Sequence, residues 1–416
     1  MVKKMNRYVF LALLVINPSA FAAINLLTEG FISAKSRDQS GLAGVLEDGA
    51  TPQNQIGGLG GAIAYSGERQ LFFAVPDRGP GAGETSYKER IYKIDLGLKK
   101  NKLGYEMHPH IINTKILKGM DSKSLTGDSA DFDSVNSPSG HRRDNEAIRV
   151  APDGKHVYIS DEYGPFIEEF DAKTGRLTRE MPVPGKYKVD YPSKYIKEEL
   201  NSNIIGRQSN RGFEGLAITP SGDYLLAIVQ DPLLQDLDGK EEGKGVGLCN
   251  RMLLVNTKTG AIKEFVYELD HQKNGVSEIL AMNDHEFLVL ERDSKSGDEA
   301  KSKKIYKIDL AGAADVHAVK SLSATQSEEL ASQGITRDRY VHKTLFMDLM
   351  AYGIKKMPEK LEGMAFGPLL PDKKILFLIG SDNDFSQTED TRFFAFAIDP
   401  DDVPTYVPQK IHVSHQ

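Results

Sequence analysis

His141–Gly175 reads HRRDNEAIRVAPDGKHVYISDEYGPFIEEFDAKTG, and the order of residue types along it decides the fold. An acid, Glu146, enters a short apolar run. Pro152, Asp153 and Gly154 then supply a turn, and an alternating segment from Val157 ends in Asp161 and Glu162. A further alternating segment closes on Lys173-Thr174-Gly175. Alternation with a period of two residues, interrupted by Pro, Asp and Gly, is the pattern of consecutive β-strands joined by tight turns.

The same order returns along the chain. Gly212-Phe213-Glu214-Gly215 leads through Pro220-Ser221-Gly222 to Tyr224–Asp231 and on to Met252–Gly260. Val276-Ser277-Glu278 leads to Phe287–Asp293 and to Ile305–Leu310, and Leu361-Glu362-Gly363 leads to Leu376–Asp382 and to Phe393–Asp399. An earlier copy lacks the acid: it starts at Gly60-Gly61-Ala62 and reaches Leu71–Arg78 and Ile91–Leu96. No unit carries enough apolar surface to fold alone, and repeats of this kind must be settled before any other assignment. Radial stacking leaves only short, protected sheet edges. The expected architecture is therefore an all-β propeller of five or six blades with helical insertions. Five units are read directly, and a sixth would have to come from residues 315–360 or from the two termini. The alternating residues 24–35 are expected to complete the last blade. Helical order is expected at Lys194–Leu200, Ser327–Ser332 and His342–Tyr352.

Composition bounds the compartment and the partners. Lys3, Lys4 and Arg7, the apolar run Tyr8–Ile16 and Ala20-Phe21-Ala22 together read as a secretory signal peptide cleaved near Ala22. That leaves residues 23–416 as one propeller domain, exported to a periplasm or beyond. The apolar run is too short to span a bilayer, and no transmembrane segment is expected. A formal charge of −7 gives no reason to expect nucleic acid as a partner. A small anionic or ester substrate and a monomeric state are the expectation. Cys249 is the single cysteine, so the fold rests on packing rather than on internal disulfides.

The recurring acids point to chemistry. In a propeller the first strand of each blade lines the central channel, so Glu146, Glu214, Glu278 and Glu362 would converge there. Like charges in a narrow channel raise one another's proton affinity, and a bound cation removes the penalty. Hard oxygen ligands without clustered Cys or His favour Ca²⁺, with Mg²⁺ or Mn²⁺ as substitutes. No G-x-S-x-G motif is present, so water activated by a carboxylate or a metal is the better mechanism. Asp161 or Glu162 would act as general base, and Arg78 and Arg292 would orient an anionic group. The competing readings are a non-catalytic binding propeller of the cell envelope with a structural cation, and a lactonase.

As a set, these residues resemble the phytase-like family, the "esterase-like activity of phytase" proteins. The matching pieces are Asp144–Ile148 with Ser160–Pro165, Arg211–Ala217, Val276–Glu278 with Leu288–Asp293, and Leu361–Ala365 with Ser381–Phe385. The resemblance implies a propeller that hydrolyses ester or phosphoester bonds. It also implies a functional set of Glu146, Asp161, Glu162, Glu214, Glu278, Glu291, Arg292, Glu362 and Asp382. Within that set Asp161, Glu162 and Glu291 are assigned to catalysis. Glu146, Glu214, Glu278, Glu362 and Asp382 are assigned to the metal. No dense cluster of Lys and Arg promises a highly phosphorylated substrate.

Overall fold

A computed structural model describes residues 24–133, 140–241 and 244–413. The signal peptide expected over residues 1–22 lies outside them. The chain enters on β1 (Asn25–Ile32) and then builds four blades in succession. The first blade holds β2 (Ala62–Tyr65), β3 (Leu71–Val75), β4 (Arg90–Asp95) and, after the small hairpin β5 (Lys99–Asn101) and β6 (Gly104–Glu106), β7 (His110–Ile116). The second holds β8 (Asn145–Val150), β9 (His156–Asp161), β10 (Phe166–Asp171) and β11 (Arg176–Glu180).

The third blade follows a short helix, α1 (Ile196–Ser202), and holds β12 (Phe213–Ile218), β13 (Tyr224–Val229), β16 (Cys249–Asn256) and β17 (Ile262–Glu268). The hairpin β14 (Gly239–Glu241) and β15 (Lys244–Val246) interrupts it. The fourth holds β18 (Gly275–Ala281), β19 (Glu286–Arg292), β20 (Lys303–Asp309) and β21 (His342–Asp348), with α2 (Ser327–Ser332) between the last two. The fifth holds β22 (Leu361–Leu369), β23 (Ile375–Ser381) and β24 (Thr391–Ile398), and β1 pairs antiparallel with β24 to complete it.

Five four-stranded blades thus close a ring whose two ends are held together in one sheet, as expected of residues 24–35. Burial explains which strand goes where. Inner strands such as β12 (FEGLAI) and β13 (YLLAIV) are apolar nearly throughout because both faces are covered. Outer strands such as β11 (RLTRE) alternate because one face meets water. The core is a set of apolar layers between neighbouring blades. Leu288 and Leu290 meet Phe377 and Phe396 between the fourth and fifth, and Ile63 and Phe72 meet Leu376 and Leu378 across the closure. Equivalent layers lie between the first and second blades, the second and third, and the third and fourth.

Two expectations are corrected. His342–Asp348 is the strand β21, and only Leu349–Tyr352 turns as a short 3₁₀ helix. The apolar residues at helical spacing were outweighed by the free edge of β20, whose Lys304–Asp309 pair with this segment. The long stretch from residue 315 consequently hides no sixth blade. Its Val316, Leu322, Leu330 and Ile335 pack on Val266 of β17, at the rim of the third blade. Lys194–Leu200 and Ser327–Ser332 fall on or beside α1 and α2 as expected.

Residues 403–413 cross one end of the ring. The Val407 amide donates to the Met282 carbonyl, the Gln409 amide side chain to the Val150 carbonyl, and the His412 amide to the Pro152 carbonyl. Tyr406 packs on Phe366 with ring centroids 4.4 Å apart. Beneath this strap lies a cavity of about 100 Å³ lined by Ile63, Val150, Leu280, Phe366 and Val407. This strap crosses the end of the ring where the first strands finish, and the recurring acids stand where those strands begin.

Candidate active site

Strand register shows which residues are equivalent. Pairing shifts between Asn145 and Ala147, between Phe213 and Gly215, between Val276 and Glu278, and between Leu361 and Gly363. Each first strand thus bulges at one residue: Glu146, Glu214, Ser277 and Glu362. Gly61 holds the same place in the first blade. A Cβ built on it would stand 3.2 Å from Glu362 Oε2, so that position faces the acid of the adjoining blade. A second set of equivalent positions follows the second strands: Asp77, Glu162, Gln230, Arg292 and Asp382. The two sets together form the mouth.

Glu278 falls one residue beyond the bulge, and a one-residue offset turns a strand side chain to a different side. It is fully buried, with Oε2 2.7 Å from Arg149 Nη2, a contact of charge rather than a well-angled hydrogen bond. Oε1 accepts from the amides of Leu216 and Ile279. Arg149 also donates to the carbonyls of Ile63 and Ile279. The pair therefore ties the first four blades together across the channel. Burial pushes the Glu278 carboxyl up to about 7, against the pull of Arg149.

Glu146, Glu214 and Glu362 do come together. Burial first, then the charges of Glu214, Asp144, Glu162 and Glu362, hold the Glu146 carboxyl well above its usual range. Glu214 is raised well above its range by burial and by Glu162 and Glu362, with Arg292 and Lys360 acting against this. Glu162 rises to about 8, through burial and the adjacent Asp144, with Arg78 and Arg207 opposing. Its Oε1 accepts from the Gly212 amide.

Three cations share this space. Arg78 Nη1 donates to Asp144 Oδ2 at 2.6 Å and stands 3.7 Å from Glu162 Oε2. Arg292 Nη2 donates to Glu362 Oε1. Lys360 Nζ reaches Asp382 at 3.0 Å, Asp384 at 3.1 Å and Asp77 at 3.9 Å. The carboxylates outnumber these cations, which adds to the effect of burial in raising the proton affinity of the acids left over.

Two of the expected catalytic carboxylates are engaged elsewhere. Asp161 accepts from the amides of Asp144 and Gly164, both at 2.6 Å, and burial raises it to about 7. It fixes the loop that carries Asp144. Glu291 accepts from Tyr267 Oη, Asn274 Nδ2, Lys343 Nζ and the Asp270 amide, which ties its carboxylate to the loop after β17 and to β21.

Three residues outside the expected set belong to the mouth. Asp144 and Lys360 occupy one equivalent position, since the Glu162 amide donates to the Asp144 carbonyl as the Asp382 amide does to that of Lys360. Their signal in the sequence was their place two residues before the bulged glutamates. Ser277 carried no chemical signal, because its neighbour Glu278 matched the recurring acid by type.

The donor set fits a hard cation. One carboxylate oxygen from each of Asp144, Glu146 and Glu162 lies within 4.8 Å of the others, and Asp77, Asp382 and Asp384 form a second such group. Oxygens on one Ca²⁺ at about 2.3–2.6 Å can stand no more than about 5 Å apart. Lys360 already neutralises the second group. Glu146 is balanced by no ion pair within the described residues, so the first group is the one with charge to spare.

The sequence profile of the phytase-like family, described as "Esterase-like activity of phytase", matches residues 54–385. An "Uncharacterized secreted protein" of Arthroderma benhamiae is 26% identical over 331 residues, 61% of this chain and 64% of the relative. The chain thus spans just under two thirds of that relative's length. Among solved structures, hydrazine synthase of Kuenenia stuttgartiensis is 13% identical over 78% of each chain, with a TM-score of 0.34. The β-propeller domain of Cps50 (Swd1) of Myceliophteria thermophila is 10% identical over 82% of this chain and 83% of that one, also at 0.34.

Proposed function

Because the chain belongs to the phytase-like family, we propose that it is an exported, metal-assisted hydrolase of ester or phosphoester bonds whose site is the acidic mouth. The observation that carries this reading is the crowding of Glu146, Glu162 and Glu214 beside Arg78, Arg292 and Lys360 where the first strands of the blades begin. Export follows from the leader-like residues 1–22 and accords with the relative named as secreted.

Asp144, Glu146 and Glu162 would hold the cation, Ca²⁺ or in its place Mg²⁺ or Mn²⁺, with Glu214 and Glu362 adding negative charge beside it. When bound, such an ion polarises the scissile carbonyl or phosphoryl group and lowers the pKa of water. Glu162 would give the cation one carboxylate oxygen and keep the other for the proton of the attacking water, and its burial beside Asp144 favours taking that proton. Arg78 is held by Asp144 with its guanidinium stacked near Tyr163, 5.8 Å from the ring centroid. There it presents positive charge to an anionic substrate.

The test is turnover by purified protein on phosphomonoesters, phosphodiesters, carboxylic esters and lactones, with Ca²⁺, Mg²⁺, Mn²⁺ or chelator. Cation-dependent hydrolysis lost in Glu146→Gln supports the reading. No hydrolysis of any class under any ion defeats it, and cation-dependent stabilisation without turnover would favour a binding propeller.

A further inference from the structure

The fourth blade breaks the pattern of the mouth at both of its positions. Where the second and fifth blades present two acids each, Glu146 with Glu162 and Glu362 with Asp382, the fourth presents Ser277 and Arg292. Both side chains are almost wholly buried, and among the described residues Ser277 Oγ and Arg292 Nε have no hydrogen-bond partner. The rest of the Arg292 guanidinium is engaged, with Nη2 on Glu362 and Nη1 3.4 Å from the Asp293 carbonyl.

These two donors are neighbours by register. Gly275 pairs with Arg292 and Val276 with Glu291, and Ser277 is the bulged residue that follows. In the second blade the same two positions bring oxygens of Glu146 and Glu162 within 4.8 Å of each other. Ser277 also lies in the ring between the third blade's Glu214 and the fifth blade's Glu362, two acids close enough to act on each other. A buried donor left unpaired carries a desolvation cost, and two at adjoining positions of one strand pair mark a place where an acceptor belongs.

We propose that Ser277 and Arg292 form the oxyanion-binding side of the mouth, the Ser277 hydroxyl and the Arg292 Nε–H donating to one non-bridging oxygen of a phosphoester or carboxyl ester. This rests on the hydrolase reading and adds a substrate orientation to it. The ester oxygen faces the fourth blade, and the water activated by Glu162 approaches from the second. Donors fixed in advance where negative charge develops favour the transition state over the ground state. Ser277 makes no covalent bond in this scheme.

The probe is inorganic phosphate, titrated calorimetrically into the full chain with Mg²⁺ present. The wild type binds it. Ser277→Ala weakens binding about five- to tenfold without lowering the melting temperature of the ligand-free protein, the loss expected of one hydrogen bond. Ser277→Thr, which restores a hydroxyl, recovers it. Arg292→Lys keeps positive charge for Glu362 but removes Nε, and weakens phosphate binding in its own right. On any ester the protein turns over, Ser277→Ala lowers kcat more than it raises KM. Absence of phosphate binding in the wild type, or Ser277→Ala binding phosphate as the wild type does, overturns the proposal. Phosphate binding that depends on Ser277 without turnover of any ester would sustain the anion site while removing the hydrolase reading.

Discussion

Arg149 Nη2 lies 2.7 Å from Glu278 Oε2, with both side chains buried on the channel axis. One of the four recurring glutamates is thereby placed in the channel floor, below the acids of the mouth. Breaking a buried pair by removing one partner costs about 3–5 kcal/mol, because the other charge is left uncompensated. Arg149→Met should therefore lower unfolding stability by about that amount. Adding Glu278→Gln should restore a substantial part of it. A denaturant double-mutant cycle measures the coupling, and additive losses would show that the pair does not tie the blades together.

The same glutamate makes stability depend on pH. Its folded carboxyl, at about 7, lies above the ordinary value of 4.5. The native state therefore binds more protons than the unfolded chain between those values. The stabilising contribution is complete below about pH 4.5 and is lost as pH rises through 7. Glu278→Gln should flatten the fall in melting temperature between pH 5 and 7. An unchanged slope would assign the dependence to the mouth acids alone.

Burial first, and then the charges of Glu162 and Glu362, hold the Glu214 carboxyl well above its usual range. Glu214→Gln removes its charge from this group. In chelator at pH 8 the variant should unfold at higher temperature than the wild type, by about 1 kcal/mol or more of stability. Its gain on adding Ca²⁺ should shrink. Thermal unfolding with and without Ca²⁺ checks both signs.

Lys360 stands where a cation would otherwise be needed, against Asp77, Asp382 and Asp384. Lys360→Met should free that group to take an ion of its own. Titration calorimetry with Ca²⁺ would then show one additional bound ion relative to the wild type. An unchanged stoichiometry would mean that these three carboxylates do not act as a ligand set.

The strap of residues 403–413 is held partly by Tyr406 on Phe366. Tyr406→Ala should cost about 1–3 kcal/mol from lost packing and ring contact. It should leave cation binding at the mouth unchanged, because the two lie at opposite ends of the channel. Parallel measurement of melting temperature and Ca²⁺ affinity separates the effects.

The sequence by itself determined that alternating strands recur in units, that the units must stack in a ring, and that acids stand at the inner strand ends. Those conclusions need only local pattern and the rule that each unit buries its faces against the next. It also placed residues 24–35 in the closing blade. Only the tertiary structure decided that His342–Asp348 is a strand, because the free edge of β20 outweighs the segment's own helical spacing. Only the structure separated Glu278 from Glu146, Glu214 and Glu362. Identity of residue type at a similar spacing does not reveal a bulge, and a shift of one residue along a strand redirects the side chain from the mouth to Arg149. Asp144, Lys360 and Ser277 entered the mouth for the same reason, since pairing across blades, rather than chemical type, fixes which residues face the channel.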